Sequence, residues 1–242
     1  MRYSCLIGLG VGSLLLAVAC SCVPPCFAAG KRAYPDPKRF EKRITAFEAK
    51  DEKTPPPAGA ILCTGSSSMV GWHGTIEKDL APLTVIPRGF GGSTMHDVLH
   101  YADRVVIPYR PRAILVYEGD NDIACGIEPE KARDTYAAFA GKIAKALPGT
   151  RIYFIAAKPS IRRWKMWPRM KALNNLVKEM CVGNKMLTFI DVAPAMLDDT
   201  GTPRKDIFKA DNLHMNRQGY TLWTEVVKPV LMENESKFEK AD

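Results

Sequence analysis

Two periods of apolar residues alternate along the chain. Short continuous runs rich in β-branched and aromatic residues begin near Ala60 (AILC), Leu83 (LTVI), Ala113 (AILVY), Arg151 (RIYFIAA) and Leu187 (LTFIDV). Runs of this length and make-up predict buried strands. Between them apolar positions return every three or four residues. Val98, Leu99, Ala102, Val105 and Val106 share one helical face, and so do Ala132, Tyr136, Phe139 and Ile143. Met170, Leu173, Val177 and Met180 form a third, behind Pro168 at the helix start. A last helix is predicted after Asn216, a good N-cap, through Tyr220, Trp223 and Val227. Strands separated by crossover helices predict an α/β fold: three layers, α/β/α, around a five-stranded parallel sheet.

The ends of the chain read differently. Phe40, Ile44 and Phe47 predict a short amphipathic helix, stopped by Pro55, Pro56 and Pro57. Residues 1–29 have the form of an export signal: Arg2, then an apolar run from Leu6 to Ala19. That run is shorter than the ~20 residues that span a bilayer. Two cleavage sites compete. Ala17-Val18-Ala19 before Cys20 resembles a lipoprotein box, with Cys20 lipidated and attaching the protein to a membrane. Cys26-Phe27-Ala28 suits ordinary signal peptidase. An uncleaved anchor is the third reading. The expected organisation is a signal over 1–29, a helix and Pro-rich connector over 30–59, one α/β domain over 60–232 and a polar tail over 233–242. The expected location is periplasmic, secreted or lipid-anchored at the envelope.

Composition narrows the class. The 242 residues are 46% hydrophobic and 25% charged, which excludes a disordered or collagen-like chain. A net charge of +8 favours anionic surfaces, but no nucleic-acid-binding motif accompanies it, so no nucleic acid partner is expected. Of seven cysteines, Cys5, Cys20, Cys22 and Cys26 lie in the leader. Cys63, Cys125 and Cys181 are far apart and lack CxxC spacing. They read as buried free thiols, with one bridge left open.

In an open parallel sheet, ligands bind beyond the carboxyl ends of the strands. The first strand leads to Gly65-Ser66-Ser67-Ser68, where a serine between strand and helix can present a nucleophile or merely an N-cap. The second leads to Gly89-Phe90-Gly91-Gly92-Ser93-Thr94, whose glycines suit an oxyanion hole or a phosphate cradle. Thr94 breaks the dinucleotide fingerprint. The third ends in Gly119-Asp120-Asn121-Asp122, where Asn121 can donate an amide N–H, form an Asx turn or join a cation site. Past the fifth comes Asp211-Asn212-Leu213-His214. Three-residue spacing on a bend lets Asp211 hold one ring nitrogen of His214 and leave the other as a base. A surface loop with a chance histidine is the plainer alternative.

Taken together, TGSSSM, RGFGGS, GDND and DNLHMNRQGY resemble the four blocks of the SGNH (GDSL-like) hydrolase family, from about Ala60 to Trp223. Ser66 stands where that family has aspartate, as in the branch near platelet-activating-factor acetylhydrolases. The resemblance implies a flavodoxin-like fold. It implies Ser67, rather than Ser66 or Ser68, as nucleophile, with His214 as base and Asp211 behind it. It also implies an oxyanion hole from the N–H groups of Ser67 and Gly92 and the amide of Asn121, with no metal or organic cofactor. The expected activity is cleavage of acyl esters of small molecules, lipids or glycans. Alternatives are an O-acetyl esterase or acyltransferase on an envelope polysaccharide, a non-catalytic glycan- or lipid-binding domain, and a nucleotide-binding domain using the Gly89–Gly92 loop. The G-x-S-x-G elbow of α/β-hydrolases is absent.

Four other features carry less. His96 and His100 share a helical face but lack the H-E-x-x-H pattern and a third metal ligand. His73 packs or lines a pocket. The run Arg162 to Arg169 mixes bases with Trp164 and Trp167 and suits either a lip for an anionic headgroup or glycan, or a solvated loop. Lys158-Pro159-Ser160 just before it also resembles the esterase branch, without an assigned role.

Overall fold

The computed structural model describes Met1 and residues 32–239. The expected signal segment, with Cys20 and both cleavage sites, lies outside the described residues.

Five strands form one parallel sheet: β1 (Ile61–Gly65), β2 (Val85–Gly89), β3 (Ala113–Tyr117), β4 (Arg151–Ile155) and β5 (Leu187–Ile190). Their spatial order is β2-β1-β3-β4-β5. The second strand starts two residues after the apolar run that predicts it, because Leu83 and Thr84 complete the preceding turn and Thr84 O receives the Ile61 N–H. Gly65 lies level with both Gly89 and Tyr117, and Tyr117 with Ile155, so four carboxyl ends are aligned. Chain direction of the crossovers changes between β1 and β3. That switch point is where such sheets place their ligands.

Among the described residues, eight α-helices cover the sheet. They are α1 (Glu41–Lys53), α2 (Ser67–Trp72), α3 (Ile76–Leu80), α4 (Met95–Val105), α5 (Asp120–Ala124), α6 (Pro129–Ala146), α7 (Trp167–Cys181) and α8 (Arg217–Glu235). Strand side chains alternate between two cores, as the two-residue period of a strand demands. Leu62, Ile114, Val116, Ile152 and Phe154 meet α1, α4, α6 and α7. Ile61, Cys63, Leu115, Tyr153 and Ile155 meet α2, α3 and α8. The four helical stripes read from the sequence are core-facing, with Leu99 and Met180 only partly buried. Asn216 caps α8 by accepting the Gly219 N–H at 3.1 Å.

The segment before the sheet belongs to the packed body. Ile44 of α1 is fully buried and Arg39 reaches Asp97 at 2.6 Å. Tyr34 stacks on His96 with ring centroids 4.8 Å apart, and its hydroxyl donates to Asp122. At the other end α8 continues past residue 232 to Glu235, which is fully buried. Glu235 accepts from Arg151 and from the Tyr153 hydroxyl, while Glu239 pairs with Arg112 and Thr84. Burial opposes the charge on Glu235, but these bonds hold its carboxyl below the ordinary range. Residues 233–239 therefore close the amino-terminal end of the sheet. Among the described residues the cysteines are free: Cys63 is buried, whereas Cys125 and Cys181 are half-buried.

Candidate active site

β1 ends on Gly65, whose φ of +130° favours glycine. A β-carbon there would stand 2.0 Å from the Tyr117 carbonyl oxygen. Only a bare backbone lets β1 and β3 run this close while the chain turns into α2. Ser67 is the first residue of that helix. Ser66 and Ser68 are buried, and their hydroxyls find no hydrogen-bond partner. Ser67 is the member of the three that is partly exposed, and its Oγ lies 3.0 Å from His214 Nε2. A second tie holds α2: the Tyr220 hydroxyl of α8 donates to the Ser68 carbonyl at 2.9 Å.

His214 sits on the turn that precedes α8. Its Nδ1 is 2.6 Å from Asp211 Oδ2. Asp211 Oδ1 accepts the backbone N–H groups of Leu213 and His214, at 3.0 and 2.9 Å. Asn212 makes the bend between them at φ +57°. Those bonds, the one from the imidazole foremost, hold the Asp211 carboxyl well below the usual carboxylate range. An ionised acceptor on Nδ1 puts the ring proton there and leaves Nε2 with a lone pair toward Ser67. The pair is exposed at the surface, with 35% and 41% of the His214 and Asp211 side chains accessible.

The glycine loop after β2 stands against Ser67. A β-carbon on Gly91 would come within 3.7 Å of the Ser67 β-carbon. Gly92 follows at φ +87°, exposed. Asn121, on α5, is 9% exposed. Its Nδ2 donates to the Ser93 carbonyl at 2.8 Å, which leaves one of two amide hydrogens, and its Oδ1 accepts from Arg163 at 2.9 Å. The Asn121 amide is thus bound on both sides, a feature its place in GDND does not announce.

Several buried charged neighbours have no role assigned from the sequence. Glu118 is fully buried and accepts the Ser93 hydroxyl at 2.5 Å. Burial, with Asp122 nearby, pushes its carboxyl well above the usual range. Burial likewise raises Asp122 to about 7. Lys158, 1% exposed, pairs with Asp120 at 3.3 Å, and Arg163 pairs with the same carboxylate at 3.1 Å. A lysine in a run otherwise apolar was the readable sign. Of the basic run after β4, Arg163 turns inward and Arg169 pairs with Glu128, while Arg162 and Lys165 are exposed. Trp164 and Trp167 stack on each other at 6.1 Å. His73 lines no cleft with the others: it accepts the Gly89 N–H through Nε2 at 3.0 Å. His100 meets Tyr101 edge-on. Among the described residues no cluster of three or more His, Cys, Asp or Glu could hold a metal ion.

The GDSL-like lipase/acylhydrolase family matches residues 58–222. Solved structures share the fold. A Streptococcus pneumoniae protein, provisionally described as a platelet activating factor, superposes with a TM-score of 0.70 at 19% identity, over 80% of this chain and 93% of its own. A GDSL-like lipase from Bacteroides thetaiotaomicron gives 0.65 at 18% identity, over 82% and 98%. A mutant acetyl-xylooligosaccharide esterase from Geobacillus gives 0.59 at 15%, over 77% and 99%. Identities this low speak for the fold alone. No curated protein sequence matches. The family match spans most of the chain and all four blocks, and with it the chain belongs to the GDSL-like lipase/acylhydrolase family, hydrolases of ester bonds.

Proposed function

We propose that Ser67, His214 and Asp211 act as nucleophile, base and orienting acid in an exported acyl-ester hydrolase. The observation that supports this most is the continuous hydrogen-bonded path from Asp211 through His214 to Ser67. Ser67 Oγ attacks the ester carbonyl as Nε2 takes its proton. Asp211 stabilises the imidazolium that forms. The oxyanion is received by the N–H groups of Ser67 and Gly92 and the remaining amide hydrogen of Asn121. Each such donor supplies ~2.7–4 kcal/mol of transition-state stabilisation. The alkoxide leaves with the proton from Nε2. Water, deprotonated by the same nitrogen, then releases the acid from Ser67. The chemistry needs these side chains and water.

The open setting of His214 and the stacked Trp164–Trp167 pair favour a second reading of the alcohol: an O-acetylated glycan. Indole faces offer flat apolar surface to sugar rings. Acyl transfer to a second glycan hydroxyl uses the same residues, as water and alcohol are equivalent acceptors for the acyl-enzyme.

Export rests on the apolar run Leu6 to Ala19, with Cys20 or Ala29 as the mature N-terminus. Mass spectrometry of the N-terminal peptide distinguishes a lipidated Cys20 from a free Ala29. The activity is tested with a fluorophosphonate probe and p-nitrophenyl acetate. Labelling at Ser67 and loss of turnover in Ser67→Ala are expected. A folded Ser67→Ala protein that keeps wild-type turnover overturns the assignment.

A further inference from the structure

We infer that Arg163 is a positioning residue that orients and polarises the Asn121 amide. The inference rests on reading Asn121 as an oxyanion donor. A primary amide can rotate about its last torsion, and in doing so exchanges donor for acceptor. Here that rotation is blocked from both sides. The Ser93 carbonyl takes one amide hydrogen at 2.8 Å, and the Arg163 guanidinium donates to the amide oxygen at 2.9 Å. A flipped amide would set NH2 against a cation and its oxygen against a carbonyl. Arg163 therefore fixes which atom faces the reacting ester.

Its charge does a second thing. A guanidinium on the amide oxygen draws electron density from the nitrogen and makes the free N–H a stronger donor, as chained hydrogen bonds do in a low dielectric. Arg163 is in turn held in place. Its other terminal nitrogen lies 3.1 Å from Asp120, and its backbone N–H reaches Ser160 Oγ at 3.3 Å. Lys158, buried under Tyr117, shares the Asp120 carboxylate. Two cations thus share one buried carboxylate beside Asn121. A lysine at 163 would have one ammonium for two partners on different groups; in arginine one terminal nitrogen bonds the amide while the other faces the carboxylate as an ion pair without a hydrogen bond.

Double-variant kinetics on the full-length protein test this, with p-nitrophenyl acetate as substrate. Arg163→Met should lower kcat about 10- to 100-fold, with KM little changed, because an oxyanion donor acts in the transition state. Arg163→Lys keeps a cation beside Asp120, so it stands in if the Met variant does not fold, and should lose kcat about tenfold. In an Asn121→Ala background the Arg163 change should cost no more than about twofold, since the group it acts through is gone. A role in packing or in direct contact with the ester would instead multiply the two losses. Folded Arg163 variants with full kcat, or multiplying losses, overturn the inference alone. A wild-type protein without Ser67-dependent turnover overturns the reading of the site beneath it.

Discussion

Ser67 Oγ and His214 Nε2 lie 3.0 Å apart although 147 positions separate them in the chain. The serine is set by the end of a central strand and the histidine by a surface turn before the last helix. What aligns the turn is Asp211, which grips the imidazole and two backbone N–H groups at once. Asp211→Asn should keep the turn but present the amide to the wrong ring tautomer. A drop in kcat of roughly two to four orders of magnitude is expected, the upper end being typical of buried triads. Steady-state kinetics with circular dichroism as a folding control measures it; an unaffected rate would remove Asp211 from the chemistry.

Asn121→Ala takes away one oxyanion donor and the bond to Ser93. The kcat for ester hydrolysis should fall about 10²- to 10³-fold while KM stays within a few-fold. A rise in KM at constant kcat would mean that Asn121 binds the ground-state ester instead.

Gly65→Ala should damage the fold before it damages the chemistry. The new methyl would sit 2.0 Å from the Tyr117 carbonyl oxygen on a backbone at φ +130°. Strain and overpacking together cost at least roughly 3 kcal/mol. Urea unfolding should show a lowered midpoint, or the protein should be found insoluble. A wild-type midpoint would show that β1 and β3 can separate at little cost.

His73 links stability to pH. Burial first, then the charges of Arg88, Arg43 and Lys50, push its pKa down to about 4. In the unfolded chain it titrates near 6.5. As pH falls from about 6.5, the unfolded state binds the proton first, so stability drains away until about pH 4. His73→Gln can still accept the Gly89 N–H but does not titrate. Urea midpoints across this range should show the wild type losing on the order of 2 kcal/mol more than the variant. Parallel curves would place the neutral imidazole elsewhere.

The layers of this fold were legible because each strand is a short apolar run and each long helix repeats its apolar residues at a steady interval. The short helices α2, α3 and α5 were not, since five or six residues hold too few turns for a period. Ser67, Gly92, Asn121, Asp211 and His214 could be singled out as candidates because each follows a strand or precedes a helix in an order that resembles the family's four blocks, and that resemblance alone favours Ser67 over Ser66 and Ser68. Arg163 could not be singled out from Arg162, Lys165 and Arg169. Four bases in one run look alike until the backbone decides which of them faces inward, and that depends on Asp120 and Asn121, some forty positions away. Glu235 escaped for the same reason: a glutamate near the end of a polar stretch reads as solvated until Arg151, Arg112 and Tyr153 enclose it.

The turn bearing Asp211 and His214 is fastened by local bonds, among them Lys209 N–H to the His214 carbonyl and Asn216 to the Asp206 carbonyl, and by the Arg162 N–H that reaches the Asn212 carbonyl from the loop after β4. The sheet that bears Ser67 is enclosed on both faces. On gentle heating the imidazole should wander from the hydroxyl while the strands are still paired, so the enzyme falls silent as an intact globule and regains its rate on cooling.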